Sequence, residues 1–217
     1  MSESVELKPE IIGESGRWLR YLGFAMLLQL IGFIVTGVLM VAELFGIVQA
    51  YQTGALTEEQ FLRAAMDIVS KYIMIFLILV IIVAIIAVIA GIKLLPMKEY
   101  HVLFLISGIL IIIAHLMQIA GSAYSLVWIK QLTAEEFVNI SAAMAANPVA
   151  SAGNYIILLA YLLLGIALYL FGGTYEEYEG VKTGAIIIII GAILILFGIG
   201  YLLLMIGLIM AGGKLKS

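Results

Sequence analysis

Five stretches of this chain are apolar and long enough to cross a lipid bilayer, and nothing else in the sequence limits its fold as strongly. They lie at about 18–48, 72–95, 102–128, 153–171 and 184–210. A hydrocarbon core of about 30 Å needs roughly 20 helical residues. Inside lipid only helices or closed barrels satisfy their own backbone hydrogen bonds, and the scattered glycines here do not fit the alternation of a barrel strand. The expected fold is therefore all-α. It is a polytopic transmembrane bundle of five helices, one domain over residues 18–217, preceded by an acidic N-terminal tail at 1–17. Composition points the same way: 65% of the 217 residues are apolar and 12% charged. Soluble domains carry about 45–50% and about 25%, so too little polar surface exists here to coat a water-soluble fold. The first apolar run is too long for a cleavable signal sequence.

The same totals remove several function classes. Net charge is −3 with no basic block, so no nucleic-acid footprint is present. The chain has no cysteine, which removes disulfides, thiolate catalysis and Cys-ligated metals together. No G-x-S-x-G, H-E-x-x-H, Walker or Rossmann pattern occurs. The expectation is a protein that is not an enzyme, with no catalytic, cofactor-binding or metal-binding residue to name.

Two long loops, 51–71 and 130–152, fall on one side of the membrane, and short turns at 93–101 and 172–183 on the other. Thr57 with Gln60 forms a capping box opening an amphipathic surface helix over 57–71. Along it Glu59, Arg63, Asp67 and Lys71 make an i,i+4 charge ladder. Thr133 with Glu136 opens a second such helix. Leu56 to Phe61 aligns with Leu132 to Phe137, and an Ala-Ala-Met follows each. A parallel repeat of 18–95 and 102–171 accounts for this, as does convergence of two loops on one capping box. Arg17 and Arg20 flank the first span and favour a cytoplasmic N-terminus in a cell membrane, which puts the C-terminus outside. Asn139 begins a glycosylation tripeptide on the outer side.

Small residues recur every seven positions. Gly184, Gly191 and Gly198 form one row in the fifth span, and Gly200 and Gly207 a second; Ala114 and Gly121 continue a row in the third. Such rows let helix backbones approach closely, either within the chain or between copies. Ionisable groups inside the spans are few. His115 falls mid-span on a bundle-facing row, with Gln118 one turn on and Tyr161 and Tyr201 at similar depth. Burial there should keep its imidazole neutral, with Gln118 or a tyrosine hydroxyl as hydrogen-bond partner. The cluster reads either as a proton relay or solute site, or as hydrogen bonds fixing helix register. Glu43 is a candidate interfacial carboxylate. His101 and His115, 14 residues apart, match haem-ligand spacing, yet the chain has only these two histidines, so a haem there would need a second copy or a Met partner. The acidic turn Tyr175 to Glu179 reads as a solvated loop.

The stretch Gly180-Val181-Lys182-Thr183-Gly184-Ala185, continuing through Ile190-Gly191-Ala192 and Gly198-Ile199-Gly200 to Gly213-Lys214-Leu215-Lys216, resembles uncharacterised archaeal multi-pass membrane proteins. The first span, with Leu22-Gly23 and Ile31-Gly32, is similar in style. The resemblance implies an archaeal membrane source and transfers no activity or site residue. The functional expectation is an accessory or self-associating membrane subunit, in lipid and either homo-oligomeric or part of a larger complex. The alternative is a small permease or channel with a mid-membrane polar site.

Overall fold

Pro9 opens the first helix, where a fixed φ and a missing N–H suit the first turn. In the computed structural model this helix, α1, runs unbroken over Pro9–Gln52. Residues 9–17 of the expected tail are therefore helical. The structure describes residues 7–129, 131, 148–195 and 199–215. After α1 the chain reverses at Gly54, whose φ of +76° is open to glycine without strain. The capping box then forms as expected. Thr57 N–H donates to Gln60 Oε1 at 2.9 Å, and Gln60 N–H donates to Thr57 Oγ1 at 3.3 Å.

What this box starts differs from the expectation of a separate surface helix. No proline and no glycine interrupt the chain between 58 and 90, so the amphipathic segment and the second span fuse into one helix, α2, over Glu58–Leu94. Only the Glu59–Arg63 rung of the expected ladder forms an ion pair, at 2.7 Å; Lys71 turns instead to α1. Pro96 ends α2 in a short 3-10 turn, since its ring cannot continue an α-helix. Helix α3 covers Val102–Ile129 and α4 covers Pro148–Thr174. The second expected surface helix, with Thr133 and Glu136, and Asn139 lie outside the described residues.

The fifth span is the main correction. Residues 184–210 do not form one crossing helix; they fold back as a hairpin of α5 (Val181–Leu194) and α6 (Gly200–Leu215). At ~1.5 Å per residue these are about 21 and 24 Å long, each short of a hydrocarbon core. Among the described residues four helices are long and apolar enough to cross a membrane, and these two are not. The reversal depends on Gly200: a Cβ there would overlap the Gly191 carbonyl oxygen and the Ile195 backbone. The two predicted glycine rows then meet each other. A Cβ on Gly184 would lie 2.6 Å from Ala211 N, one on Gly191 2.7 Å from Leu204 N, and one on Gly207 2.8 Å from Ile188 N. Gly198 lies outside the described residues.

The hairpin also reverses the expected end of the chain. Gly16 on α1 would bring a Cβ to 2.8 Å from the Gly212 carbonyl, so the last helix ends beside the first one's beginning. Both described ends share one side, here called terminal, with the turns at 95–101 and 175–180. Helix packing closes into a ring: α1 on α2, α2 on α3, α3 on α4, α4 on α5, α5 on α6, and α6 back on α1. The terminal rim is tied by Lys8–Glu99 at 2.7 Å and Lys93–Glu14 at 2.8 Å, and by Ser15 donating to the Lys93 carbonyl at 2.6 Å.

Charges mark a slab of bilayer thickness. On α1 no charged residue lies between Arg20 and Glu43, and on α2 none lies between Lys71 and Lys93. Both intervals span about 33–35 Å at ~1.5 Å per residue, matching a hydrocarbon core plus its margins. The opposite, distal, margin is held by Glu43, which accepts from Lys71 Nζ at 2.7 Å and from the Tyr72 hydroxyl at 2.8 Å.

Candidate functional site: a polar cavity over the hairpin tip

Gly23 on α1 faces the Met205 carbonyl of α6, and Gly165 on α4 faces the Ala185 carbonyl of α5, at 3.0 and 3.1 Å from a Cβ. These contacts wedge the hairpin between α1 and α4 over the terminal half of the slab. Its tip reaches the depth of Gln29 and Gln118, near mid-membrane, and stops. Beyond the tip the six-helix ring loses two members, and a cavity of about 400 Å³ takes their place.

Tyr201, at the start of α6, forms its floor. Gln118, Ser122 and Ser125 line one wall; their i, i+4, i+7 spacing places them along a single face of α3. Asn154 of α4 and Gln29 of α1 add two more amides, and Gly121 also lines the space. From Gln118 to Ser125 the cavity rises about 10 Å along the helix. The other wall, from Met26 and Leu30 to the edge-on pair Phe33 and Phe76, is apolar. Among the described residues no charged one lines the cavity.

The predicted polar cluster is divided between this cavity and the dry core. Gln118 and Tyr201 both line the cavity and interact with each other. His115 and Tyr161 are buried instead, ring edge to face at 6.3 Å between centroids. His115 is bundle-facing as expected, but its hydrogen-bond partner is neither Gln118 nor a tyrosine. Its Nδ1 lies 2.9 Å from the Ile111 carbonyl of its own helix. A carbonyl only accepts, so Nδ1 carries the proton. The Tyr161 hydroxyl donates to Met26 Sδ at 3.6 Å. His101 is a helix cap, its Nδ1 accepting from Leu103 N–H at 3.1 Å. Glu43, the candidate interfacial carboxylate, is held in an ion pair with Lys71 at 2.7 Å. Ala114 is fully buried behind the cavity wall. In the acidic turn Glu179 meets Lys182 at 3.6 Å.

Three polar residues of the cavity were not singled out from sequence: Gln29, Ser125 and Asn154. The signal available was the Gln118, Ser122, Ser125 stripe, together with two amides inside apolar spans, where an unpaired polar group is costly. No protein-family model, curated protein or solved structure matches this chain.

Proposed function

We propose that the protein is a small permease whose solute site is the cavity over the hairpin tip, with the hairpin closing the path on the terminal side. One observation carries this reading. Three carboxamides, two serines and a tyrosine line one half-open space near the middle of the slab. Ser125 donates to the Gly121 carbonyl at 3.0 Å and Tyr201 meets Gln118, and so polar a surface at that depth supports a path for a polar group. The scaffold alternative drew on the seven-residue glycine rows. Those rows are engaged inside the hairpin, which favours the cavity over self-association as the functional feature. The reading involves no catalysis.

Charge supports an orientation in the cell membrane. The described basic residues on the terminal side are Lys8, Arg17, Arg20, Lys93, Lys98, Lys182 and Lys214; on the distal side they are Arg63 and Lys71. Seven against two favours a cytoplasmic terminal side by the positive-inside rule, with the cavity facing outward.

The absence of native cysteine makes the test clean. Ser122→Cys in sealed vesicles should react with a small hydrophilic thiol reagent from the distal side, and more slowly from the terminal side as the carrier opens there. Ala87→Cys, in the dry core, should react from neither. An unreactive Ser122→Cys means a dry pocket; reaction from the distal side alone means a dead end. Either result overturns the permease.

A further inference from the structure

The ring of helices is complete only in the terminal half of the slab, where α5 and α6 fill the space between α1 and α4. In the distal half, among the described residues, no helix lies between those two. The cavity therefore has a flank facing lipid as well as a distal mouth. Its lips are Phe33 on α1, 56% exposed, and Asn154 on α4, also exposed. An exposed amide beside a phenyl ring, at a depth where the surroundings are hydrocarbon, is an arrangement that neither water nor lipid tails satisfy alone.

The two walls differ in the same sense. Leu30, Phe33 and Phe76 offer only apolar contact, while Gln118, Asn154 and Tyr201 offer donors and acceptors together. A sugar or other fully polar solute would leave the apolar wall and the lipid flank unmatched. A plain hydrocarbon would offer Gln29 and Asn154 no hydrogen bond, at a cost for each group. An anionic or cationic head would find no counter-charge among the described lining residues. The next charge along α1 is Glu43, about 15 Å beyond Phe33, and Lys71 and Tyr72 already occupy it. The volume, about 400 Å³, lies within the ~300–1,000 Å³ usual for small-molecule sites.

We infer that the cavity takes an uncharged single-chain amphiphile, entering sideways between α1 and α4 from the distal half of the bilayer. Its hydroxylated or carbonyl head lies on Gln118, Asn154 and Tyr201, and its chain passes Phe33 into the lipid. The inference rests on this cavity being the permease site and names the substrate class for it.

The full-length protein in phosphatidylcholine vesicles, with a monoacylglycerol carrying a diazirine in its acyl chain, provides the test. Photolabelling should saturate and map to peptides around Phe33 and Phe76. Unlabelled monoacylglycerol should compete, whereas glycerol and lysophosphatidate of the same chain length should not. Asn154→Leu removes one or two hydrogen bonds from an exposed position that does not hold the fold together, and should weaken competition about two- to tenfold. Ile34→Ala, on the lipid-facing surface, should leave it unchanged. Unsaturable labelling spread over the outer faces of α1 and α2 would overturn the inference, as would equal competition by lysophosphatidate. Displacement by glycerol alone would also overturn it, pointing to a water-borne solute. The Ser122→Cys reaction uses no amphiphile and separates the two ideas. A reactive cysteine with unsaturable labelling sinks only the substrate class, while saturable labelling with an unreactive cysteine sinks only the permease.

Discussion

Substituting alanine for Gly191 adds one methyl group where the three nearest neighbours are all backbone: Leu204 N at 2.7 Å, Gly200 O at 3.0 Å and Leu203 C at 3.1 Å. No side chain can rotate away, so the hairpin must open. Relaxing the closest contact from 2.7 Å to an ordinary 3.4 Å moves α5 from α6 by most of an ångström. A gap of ~0.5–1 Å forfeits about a quarter to a half of each dispersion contact along the seam. Overpacking of this kind costs about 1–3 kcal/mol. Against it stands the higher helix propensity of alanine, about 1 kcal/mol. Gly37→Ala supplies the control, because nothing lies within 4 Å of its Cβ and it carries the same propensity gain. The difference between the two variants isolates the contact, and should be about 1–3 kcal/mol. Gly32→Ala should fall between them, since its only close neighbour is the movable side chain of Leu79. Reversible unfolding in mixed detergent and SDS micelles, followed by circular dichroism, measures all three. Equal stability of Gly191→Ala and Gly37→Ala would mean that α5 and α6 do not touch there.

His115→Leu should be mild, costing about 0.5–1.5 kcal/mol in the same unfolding assay. The ring bonds within its own helix, and the Ile111 carbonyl keeps its backbone donor, so no buried group is orphaned. A loss more than about twice that would mean that the imidazole joins two helices. Thr57→Ala should remove about 1 kcal/mol from the start of α2, seen as faster hydrogen exchange at residues 58–61 with the transmembrane part unchanged; unaltered exchange there would refute the capping box.

Depth was legible in the sequence, and direction around each helix much less so. Counting residues placed His115, Gln118, Tyr161 and Tyr201 at one level because the helical rise is constant. Yet His115 and Gln118 stand about 60° apart around α3, from three steps of ~100°. That angle separates the dry core from the cavity, and only packing against α4 and α6 decides which residue faces which. The hairpin escaped notice for a related reason. Hydropathy across 184–210 is continuous, since the exposed faces of both arms (Ile186, Ile190, Leu202, Ile206) are as apolar as the packed ones, so the break is carried by Gly200 and not by polarity. The glycine spacing was correctly read as close helix packing, but the two rows were placed on one helix when they face each other. The surface helix at 57–71 was recognised from its capping box, which defines where a helix starts. Nothing local marks where it stops, and it continues as α2.

The cavity exists because the C-terminal hairpin turns back partway through the slab. Single cysteines at positions 60, 98 and 213 test it in sealed vesicles with a membrane-impermeant thiol reagent. Gly213→Cys is suitable because its Cβ meets nothing within 4 Å. The hairpin predicts that position 213 labels from the same side as position 98 and opposite to position 60. Labelling of 213 from the side of position 60 would mean a single crossing helix over 184–210, and no floor for the cavity.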